Sequence, residues 1–536
     1  MDSSIDLHAL SAEQLRELTG ALLQERSAMT QQNTQLSVSN QQLSVANRQL
    51  SDRARHLEVR NEQLSFELAV LKRHRFGRRS EQSGSGQMRL LDEIVEEDLS
   101  AIEDELDALT AGVETTKVKT NKPKRQALPP ELPRTDIHHD PESTTCGCGC
   151  QMIHIGDDVS EKLDYDPGTF TVERHIRSKW ACKSCETITQ APVAAHIIDK
   201  GIPTSRFLAQ VLISKYLDHL PLYRQNTIYA RAGVEISRST LVEWVGRSGQ
   251  ALAPLAAALK EAMLTNAVLH ADETPVKVLE PGKKKTKTGY VWAYATTQWS
   301  DIQAVVYDFQ PTRAGEVSRA FLDDWHGHLV CDDYGGYKAG FKTDDRDKAM
   351  IEVGCWAHSR RKFVELLEIQ QSPIAAKAVE YINALYEIER EAKELSSKER
   401  KALRQRKAKP IIDALYAWLF GQRDGLTNGT RTAKAIDYTL KRWTALTRYL
   451  DNGDLPIDNN WVENQIRPWA LGRSNWLFAG SMRSGQRAAH VMTLIQSAKI
   501  NGLNPLDYLI DVLNRLPTAK QSDLEALLPH NWAPAV

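Results

Sequence analysis

The sequence lacks any run of about 18 apolar residues, which is the length that a membrane-spanning helix needs. Its start, Met1-Asp2-Ser3-Ser4, is polar and does not resemble a secretory signal. Seven cysteines in 536 residues are too few for a disulfide scaffold. There is also no G-x-x-x-x-G-K-S/T loop to indicate use of ATP. We therefore expect a cytosolic protein of several domains with reduced thiols and no membrane contact.

An excess of charge of either sign is missing too, because 68 Lys and Arg balance 69 Asp and Glu, for a net charge of -1. An even balance would argue against nucleic-acid binding, since phosphates are neutralised by an excess of Lys and Arg. The charges are not evenly spread, however, as nine acids and no base lie between Leu90 and Leu109. Without these nine acids the net charge of -1 becomes +8, so the remainder of the chain is basic.

A heptad repeat occupies the beginning of the chain, with members at Leu15, Leu22, Met29, Leu36, Leu43, Leu50, Leu57, Leu64 and Leu71. This period predicts a coiled coil over residues 1–79, and asparagines at the a positions (Asn33, Asn40, Asn47 and Asn61) favour a parallel homodimer. The alternative is a long solvated helix packed on its own chain. The coil ends in a basic run, Lys72, Arg73, His74, Arg75, Arg78 and Arg79. This run is either a solvated face or a contact with DNA phosphates.

Residues 80–135 contain the acidic stretch, followed by a segment rich in Lys, Thr and Pro with little apolar content. This composition is typical of a flexible linker.

Five of the seven cysteines fall in two clusters, Cys146-Gly-Cys148-Gly-Cys150 and Cys182-Lys-Ser-Cys185. Two thiolate pairs can close a tetrahedral zinc site, and the glycines allow the tight turn that a pair requires. We expect residues 136–200 to form a structural zinc domain with Cys146, Cys148, Cys182 and Cys185 as ligands. Cys150 could replace one of the first pair, and free thiols are the alternative.

The segment 201–260 has helical periodicity, and a glycine turn at Gly233 precedes Ser237-Arg238-Ser239-Thr240. A serine cap after such a turn resembles the start of the recognition helix in a helix-turn-helix. This predicts a DNA-binding domain in which Arg238 and Arg247 contact DNA. An ordinary helical hairpin explains the pattern equally well.

Acidic residues follow two apolar segments that predict buried strands. Asp272 comes after residues 267–271, just before an expected turn, and Asp332 comes directly after Leu329-Val330-Cys331. Further strands are expected at 290–294 and 304–307, and a helix near 317–325. This order favours an α+β domain with the mixed sheet of an RNase H-like fold, in which a third acid is expected on a later helix.

Glu463 supplies that third acid, within Asp458-Asn-Asn-x-x-Glu463. We divide the core into a first part at 261–358, a helical insertion at 359–452 and a final helical part at 453–500, before a helical tail at 501–536. Three carboxylates can hold two Mg ions about 4 Å apart, which stabilise the attacking and leaving oxygens of phosphodiester cleavage. Mg, or Mn in its place, prefers hard oxygen ligands. A single acid at a strand end is more often a turn former, so the three count together.

Several strings carry a family resemblance: His270-Ala-Asp-Glu-Thr-Pro275, Asp332-x-Tyr334-x-Gly336-Tyr337, Gly354-Cys-Trp-Ala-His-Ser-Arg-Arg-Lys-Phe363, Asp458-Asn-Asn-x-x-Glu463 and Trp476-Leu-Phe-Ala-Gly480. Together they resemble the bacterial insertion sequence 66 family of transposases. The resemblance implies a DDE transposase that acts on the terminal inverted repeats of its own element, with Asp272, Asp332 and Glu463 as catalytic triad and Mg ligands. It further implies small accessory proteins as partners and a place in the bacterial cytoplasm, associated with the nucleoid.

Some positions around the triad stay open. Asp333 stands where a glycine is expected after the second acid, and we choose Asp332 as the ligand by its spacing to Tyr334. Cys355-x-x-His358 has metal-ligand spacing but no second pair, which favours a structural role over a metal site. Arg467 and Arg473 are expected to contact DNA phosphates, and His270 is expected to pack within the sheet.

The sequence thus predicts a DNA-cutting and DNA-joining enzyme, in which water releases a 3'-hydroxyl that then attacks target DNA. Two rival functions remain. A DNA-binding regulator would need only the coiled coil, zinc domain and helix-turn-helix, and a nuclease would cleave without strand transfer.

Overall fold

The computed structural model describes residues 128–534, except 131, 142, 167, 199–200, 280–285 and 342–349, together with helical positions scattered between residues 20 and 57. The basic run at 72–79 and the predicted linker up to residue 127 lie outside the described residues. Within the described part of the chain, no helix is both long and apolar enough to cross a membrane.

The helical positions before residue 58 belong to a unit separate from the one that contains residues 128–534. Five heptad members in the described part are helical and 40% to 63% exposed: Met29, Leu36, Leu43, Leu50 and Leu57. A helix that pairs with a second chain presents such apolar residues before pairing. The homodimer itself stays a prediction, and Asn33, Asn40 and Asn61 lie outside the described residues.

The second unit begins with a small sheet of four strands: β1 (Arg134–His139), β2 (Ile153–Asp166), β3 (Thr169–Ala181) and β4 (Ile188–Gln190). Strand β3 pairs with β1 in parallel and with β2 and β4 antiparallel. Because Ile153 at the start of β2 is opposite Ala181 at the end of β3, the cysteines before β2 and those after β3 meet at one end of the sheet.

Four helices follow: α1 (Ser205–Tyr216), α2 (Leu222–Arg231), α3 (Arg238–Ala251) and α4 (Ala253–Met263). The predicted turn and cap before α3 are confirmed. Gly233 has a φ of +86°, which favours glycine, and Ser237 Oγ accepts the Thr240 N–H at 3.1 Å. Leu241, Val242 and Trp244 are buried and anchor α3 in the apolar core.

A five-stranded sheet contains β5 (Val268–Leu279), β6 (Thr286–Thr296), β7 (Val305–Gln310), β8 (His328–Val330) and β9 (Ile351–Val353), with α5 (Gly315–Leu322) between β7 and β8. The strand order is β7-β6-β5-β8-β9. Strands β5, β6 and β7 are antiparallel neighbours, whereas β8 and β9 continue the sheet in parallel from β5. The chain is therefore a mixed α+β protein.

The prediction of a turn just after Asp272 is wrong, because β5 continues through Pro275 to Leu279. Strand β8 pairs with β5 only from Val268 to His270, so the far half of β5 has no strand on that side. The carbonyl of Pro275 accepts from Arg473 Nη1 at 2.7 Å and thus points away from β6. A proline at this position removes no hydrogen bond from the ladder.

Helices fill the segment between β9 and the third acid: α6 (Trp356–Gln370), α7 (Pro373–Ala392), α8 (Ser397–Leu403), α9 (Lys409–Asp424), α10 (Arg431–Lys441) and α11 (Trp443–Thr447). Their apolar core also contains Val268, Val330 and Val353 from the sheet. Arg404 is fully buried there. It forms an ion pair with Glu389 and donates to the carbonyls of Tyr449, Asn452 and Leu455.

The chain then forms α12 (Asn460–Trp476), α13 (Met482–Ile500) and α14 (Pro505–Arg515). Helix α12 packs on β5 and β6, and α13 packs on β7. Val462, Ile466 and Trp469 are the buried residues of α12 that face this core, and Glu463 lies in its first turn.

Candidate active site

Asp272 and Asp332 stand side by side because their strands are parallel and in register. His270 of β5 is opposite Val330 of β8, and each acid follows two residues later. Glu463 comes from the first turn of α12, which packs on β5. Three separate elements therefore bring these acids into one region.

Burial and the neighbouring acids raise the pKa of the Asp272 carboxyl. Burial, followed by the negative charges of Glu273, Glu463 and Asp332, raises its pKa to about 8. Glu463 Oε1 is buried and has no hydrogen-bond partner. The negative charges of the neighbouring acids thus act on Asp272, and the hard oxygen donors of the three carboxylates suit Mg.

The three carboxylates are not gathered around a single point. Among the described residues, Asp272, Asp332 and Glu463 do not form a group whose ligand atoms all lie within 4.8 Å of one another. A site shared by these three carboxylates is therefore wider than a cluster of that size.

The carboxylates of Asp333 and Asp332 have different partners. Its carboxylate pairs with Arg442 and lies 3.5 Å from Lys338 Nζ. Asp332 Oδ1 instead accepts the backbone N–H of Tyr334 at 2.8 Å. Because two cations already hold Asp333, these contacts favour Asp332 as the metal ligand.

Asn459 joins the helix of Glu463 to the strand of Asp272. Its Nδ2 donates to Ala271 O at 2.9 Å, and its Oδ1 lies 2.8 Å from His270 Nδ1. Burial lowers the pKa of His270 to about 4, so the ring is neutral and its Nδ1–H donates to Asn459. His270 is 1% exposed, which confirms that it packs within the sheet.

Glu273 is a further acid whose role sequence reasoning missed. Its side chain is buried, receives the Tyr337 hydroxyl at 2.7 Å and pairs with Arg313. Burial raises the pKa of Glu273, although these two donors oppose the rise. Since neighbours in a strand face opposite sides, Glu273 can brace the strand while Asp272 faces the site. In the sequence, Tyr337 of the Tyr334-x-Gly-Tyr motif is the feature that could have indicated a hydrogen-bond partner for Glu273.

Asp458 and Tyr386 form another contact that the sequence did not reveal. Tyr386 of α7 donates to Asp458 Oδ2 at 2.8 Å, while Asp458 Oδ1 accepts the Asn460 N–H at 3.0 Å. A residue of the helical insertion thereby fixes the start of α12. Residues 72 positions apart carry no local sequence signal of such a bond.

Basic side chains surround the acids. A cavity of about 460 Å³ is lined by Asp332, His358, Arg361 and Lys362, and a second of about 410 Å³ by Arg360, Arg361 and Arg390. Arg361 borders both cavities, and its Nη2 lies 3.7 Å from Glu463 Oε2. None of these cations was among the predicted DNA contacts, although the Ser359-Arg-Arg-Lys362 string displays three of them.

The predicted DNA-contacting arginines have different surroundings. Arg467 is exposed on α12, four residues after Glu463 and so on the same face of the helix. Arg473 donates to Thr274 Oγ1 and Pro275 O, which ties α12 to β5. Arg238 opens α3, and Arg247 pairs with Glu243 at 3.0 Å. Lys72, Arg73, Arg75, Arg78 and Arg79 lie outside the described residues.

Cys146, Cys148, Cys182 and Cys185 form a cluster of sulfur atoms within 4.8 Å of one another. Two turns bring them together, closed by Gly149 N–H to Cys146 O and by Glu186 N–H to Cys182 O. Hydrogen bonds, chiefly from Cys146, lower the pKa of Cys185 to about 6. Four soft donors with a readily formed thiolate support a structural zinc ion. The structure places Cys150 Sγ near Ser184 Oγ, at 3.3 Å, outside this group of four.

Four family models match the chain. The model described as Transposase IS66 family covers residues 200–487, more than half of the chain. The zinc-finger binding domain of transposase IS66 matches 143–186, and the IS66 C-terminal element matches 493–530. A model described as Transposase C of IS166 homeodomain matches 63–137, a stretch that includes the predicted linker.

Uncharacterized proteins of Sinorhizobium fredii are similar over most of their length. Protein y4qI is 36% identical over 485 residues, which cover 87% of this chain and 88% of the relative. Protein y4hP is 34% identical over 493 residues, or 88% of each chain. Protein y4jD is 37% identical over 415 residues, which cover 76% of this chain and 81% of the relative.

These matches, together with the clustered cysteines and the three acids, define a DNA-binding, zinc-binding protein of the DDE transposase class. The chain belongs to the IS66 family of transposases.

Proposed function

We propose that this chain cleaves the ends of its own insertion sequence and joins the resulting 3'-hydroxyls to target DNA. The observation that carries the proposal is the convergence of Asp272, Asp332 and Glu463 from β5, the end of β8 and α12. The strand order β7-β6-β5-β8-β9, with β5 antiparallel to β6 and parallel to β8, supports an RNase H-like core.

Asp272, Asp332 and Glu463 would hold two Mg ions, or Mn in their place, which when bound would stabilise charge on the attacking and leaving oxygens. The chain's own contribution is to position these carboxylates. Asn459 fixes the start of α12 against β5, and Glu273 braces β5 through Tyr337 and Arg313. Arg361 and Arg467 would bind DNA phosphates beside the acids.

The remaining parts of the chain would bring the DNA to this site. The heptad helix would pair two chains, and residues 136–260 would recognise the element's ends, with Arg238 and Arg247 contacting DNA. The exposed heptad residues and the capped start of α3 support these roles. Small accessory proteins of the same element would join the complex, which would act at the nucleoid.

The test uses purified full-length protein, Mg, a labelled duplex that carries the element's end, and target DNA. We expect wild type to nick the end and to give a joined product. Asp272→Asn and Glu463→Gln keep the side-chain shapes and should abolish both reactions. Asp308→Asn is the matched control, because Asp308 is an acid of the same sheet, on β7, whose carboxylate bonds to Gln310.

Other outcomes would point to the rival functions. Binding to the end without Mg-dependent nicking would favour a regulator. Nicking without joined product, even with target DNA supplied, would favour a nuclease. Equal activity of Asp272→Asn and wild type would remove the triad from the proposal.

A further inference from the structure

Cys355, His358 and Glu463 come together beside the proposed catalytic acids. A ligand atom of each lies within 4.8 Å of the other two. Cys355 precedes α6, His358 lies in its first turn, and Glu463 lies in the first turn of α12. The sequence displays the first two at metal-ligand spacing but gives no sign of further ligands, and the fold brings up a third from about a hundred residues away.

Two polar atoms of this group face each other without a hydrogen bond. His358 Nδ1 and Glu463 Oε1 are both buried and form no hydrogen bond, and they lie 3.8 Å apart. A buried polar atom without a hydrogen bond costs stability. The ligand atoms of one tetrahedral zinc ion lie about 3.3–3.6 Å apart, given its bond lengths. A small closure around an ion would therefore satisfy both atoms.

The sulfur of Cys355 completes the donor set. It is buried and accepts the backbone N–H of Asn459 at 3.2 Å. Thiolate, imidazole and carboxylate are the donors that zinc takes, whereas Mg takes oxygen alone. Arg361 approaches the other carboxylate oxygen, Glu463 Oε2, and is more than half exposed, so Oε1 stays available.

We propose that Cys355, His358 and Glu463 form a second zinc-binding site, separate from the cysteine cluster, and that zinc there competes with the catalytic ions for Glu463. The competition rests on the proposed function, since it takes Glu463 as a ligand of those ions. The binding of zinc at this site does not depend on the proposed function. Three protein ligands leave the fourth position of a tetrahedral ion open.

The binding test uses full-length protein whose cysteine cluster is already filled with zinc, to which Co²⁺ is added as the probe. We expect the charge-transfer absorption of a cobalt–thiolate bond, which the proposed catalytic acids cannot give because they offer only oxygen donors. Cys355→Ser should lose this band, and His358→Gln should weaken Co²⁺ binding at least tenfold. Cys331→Ser is the matched control, because Cys331 is also a buried free cysteine near the site, and it should keep the band. No added band, or the same band in Cys355→Ser, would overturn the second site.

The competition test adds Zn²⁺ to Mg-supported DNA cleavage. Wild type should be inhibited at Zn²⁺ concentrations at least tenfold lower than Cys355→Ser, and added Mg should relieve the inhibition. Equal inhibition of both proteins would overturn the competition. If wild type cleaves no DNA at all, the proposed function fails, while the cobalt band still decides the site.

Discussion

His270 and Asn459 are joined by a hydrogen bond of 2.8 Å between Nδ1 and Oδ1, although 189 positions separate them in the chain. Both side chains are buried, and the bond links the strand of Asp272 to the start of the helix that carries Glu463. This neutral hydrogen bond is therefore one of the contacts that set the relative position of two proposed catalytic acids, beside the bond from Asn459 Nδ2 to Ala271 O.

Asn459→Ala should lower the free energy of unfolding by about 1–3 kcal/mol, because it leaves the His270 Nδ1–H buried without an acceptor. We expect cleavage to fall more than about tenfold and to need more Mg, because a small misplacement of reacting groups is costly. Thermal unfolding and cleavage at varied Mg measure the two effects. Asn475→Ala, at an exposed asparagine of the same helix whose side chain bonds to Leu471 O, should change neither. Wild-type Mg dependence in Asn459→Ala would contradict a positioning role.

Asp332→Asn and Asp333→Asn are a matched pair of substitutions at adjacent positions. Asp332→Asn should lower cleavage by more than about 100-fold, which is the upper figure for loss of a mere supporting partner of a metal ligand. Asp333→Asn weakens a pair with Arg442 at a partly exposed site and should cost about 1 kcal/mol of stability while cleavage persists. Cleavage by single turnover and thermal unfolding separate the two. The reverse result would make Asp333 the ligand.

The raised pKa of Asp272 predicts a specific pH dependence. Because the carboxyl holds a proton below about pH 8 when no ion is bound, and ions bind the ionised form, cleavage at limiting Mg should rise with pH toward about 8. More Mg should move the midpoint to lower pH, since cation and proton compete. If the pH midpoint of cleavage does not change with the Mg concentration, Asp272 is not the group that sets it.

Stability of the metal-free protein should change in the opposite direction. The pKa of Asp272 is about 8 when folded and about 3.9 when unfolded, so between these values the folded chain binds more protons. Its free energy of unfolding should therefore fall as pH rises through this window. The difference in free energy of unfolding between wild type and Asp272→Asn across this pH window measures the contribution of Asp272. Parallel curves for the two proteins would contradict this contribution.

The cysteine cluster predicts which thiols retain zinc. Cys146→Ser or Cys182→Ser should lose the tightly bound zinc and destabilise residues 143–186, because structural zinc supplies folding free energy. Cys150→Ser should keep the zinc, since its sulfur lies near Ser184 rather than in the group of four. Metal analysis after dialysis measures the difference. Loss of zinc from Cys150→Ser would instead place Cys150 among the ligands.

Arg404→Leu should destabilise the helical insertion by about 3–5 kcal/mol, because it leaves Glu389 buried beside an apolar side chain. Three carbonyls of the segment 449–455 would also lose their donor. Arg406→Leu is the control, since Arg406 is exposed two positions later. Urea unfolding compares the two. Equal stability would mean that the Arg404 contacts contribute little.

The sequence predicts the elements of the site better than the contacts between them. Asp272 and Asp332 follow apolar segments that predict strands, Glu463 lies in the Asp458-Asn-Asn-x-x-Glu463 string, and Ser237 follows a turn with a local signature. Such features depend on neighbouring residues only. The bonds from Asn459 to His270, from Tyr386 to Asp458 and from Arg473 to Pro275 join positions far apart, which a single sequence does not pair.

For a related reason, the sequence predicts a β5 that is too short. Pro275 is a poor strand residue by local rules, and it is tolerated because its polar backbone faces Arg473 rather than β6. Likewise Glu273 and Arg361 look like surface charges until the fold places them beside Tyr337 and Glu463. Charged residues acquire such roles only from tertiary neighbours.

Val268, Val330 and Val353 lie in the apolar core of the helical insertion, although they belong to the sheet that carries Asp272 and leads to Asp332. A copy of the gene that lost the insertion would expose these valines to water and loosen the strands beneath both acids. The sheet that positions the acids and the helical insertion therefore share one core, so a deletion inside the insertion should destabilise the sheet as well.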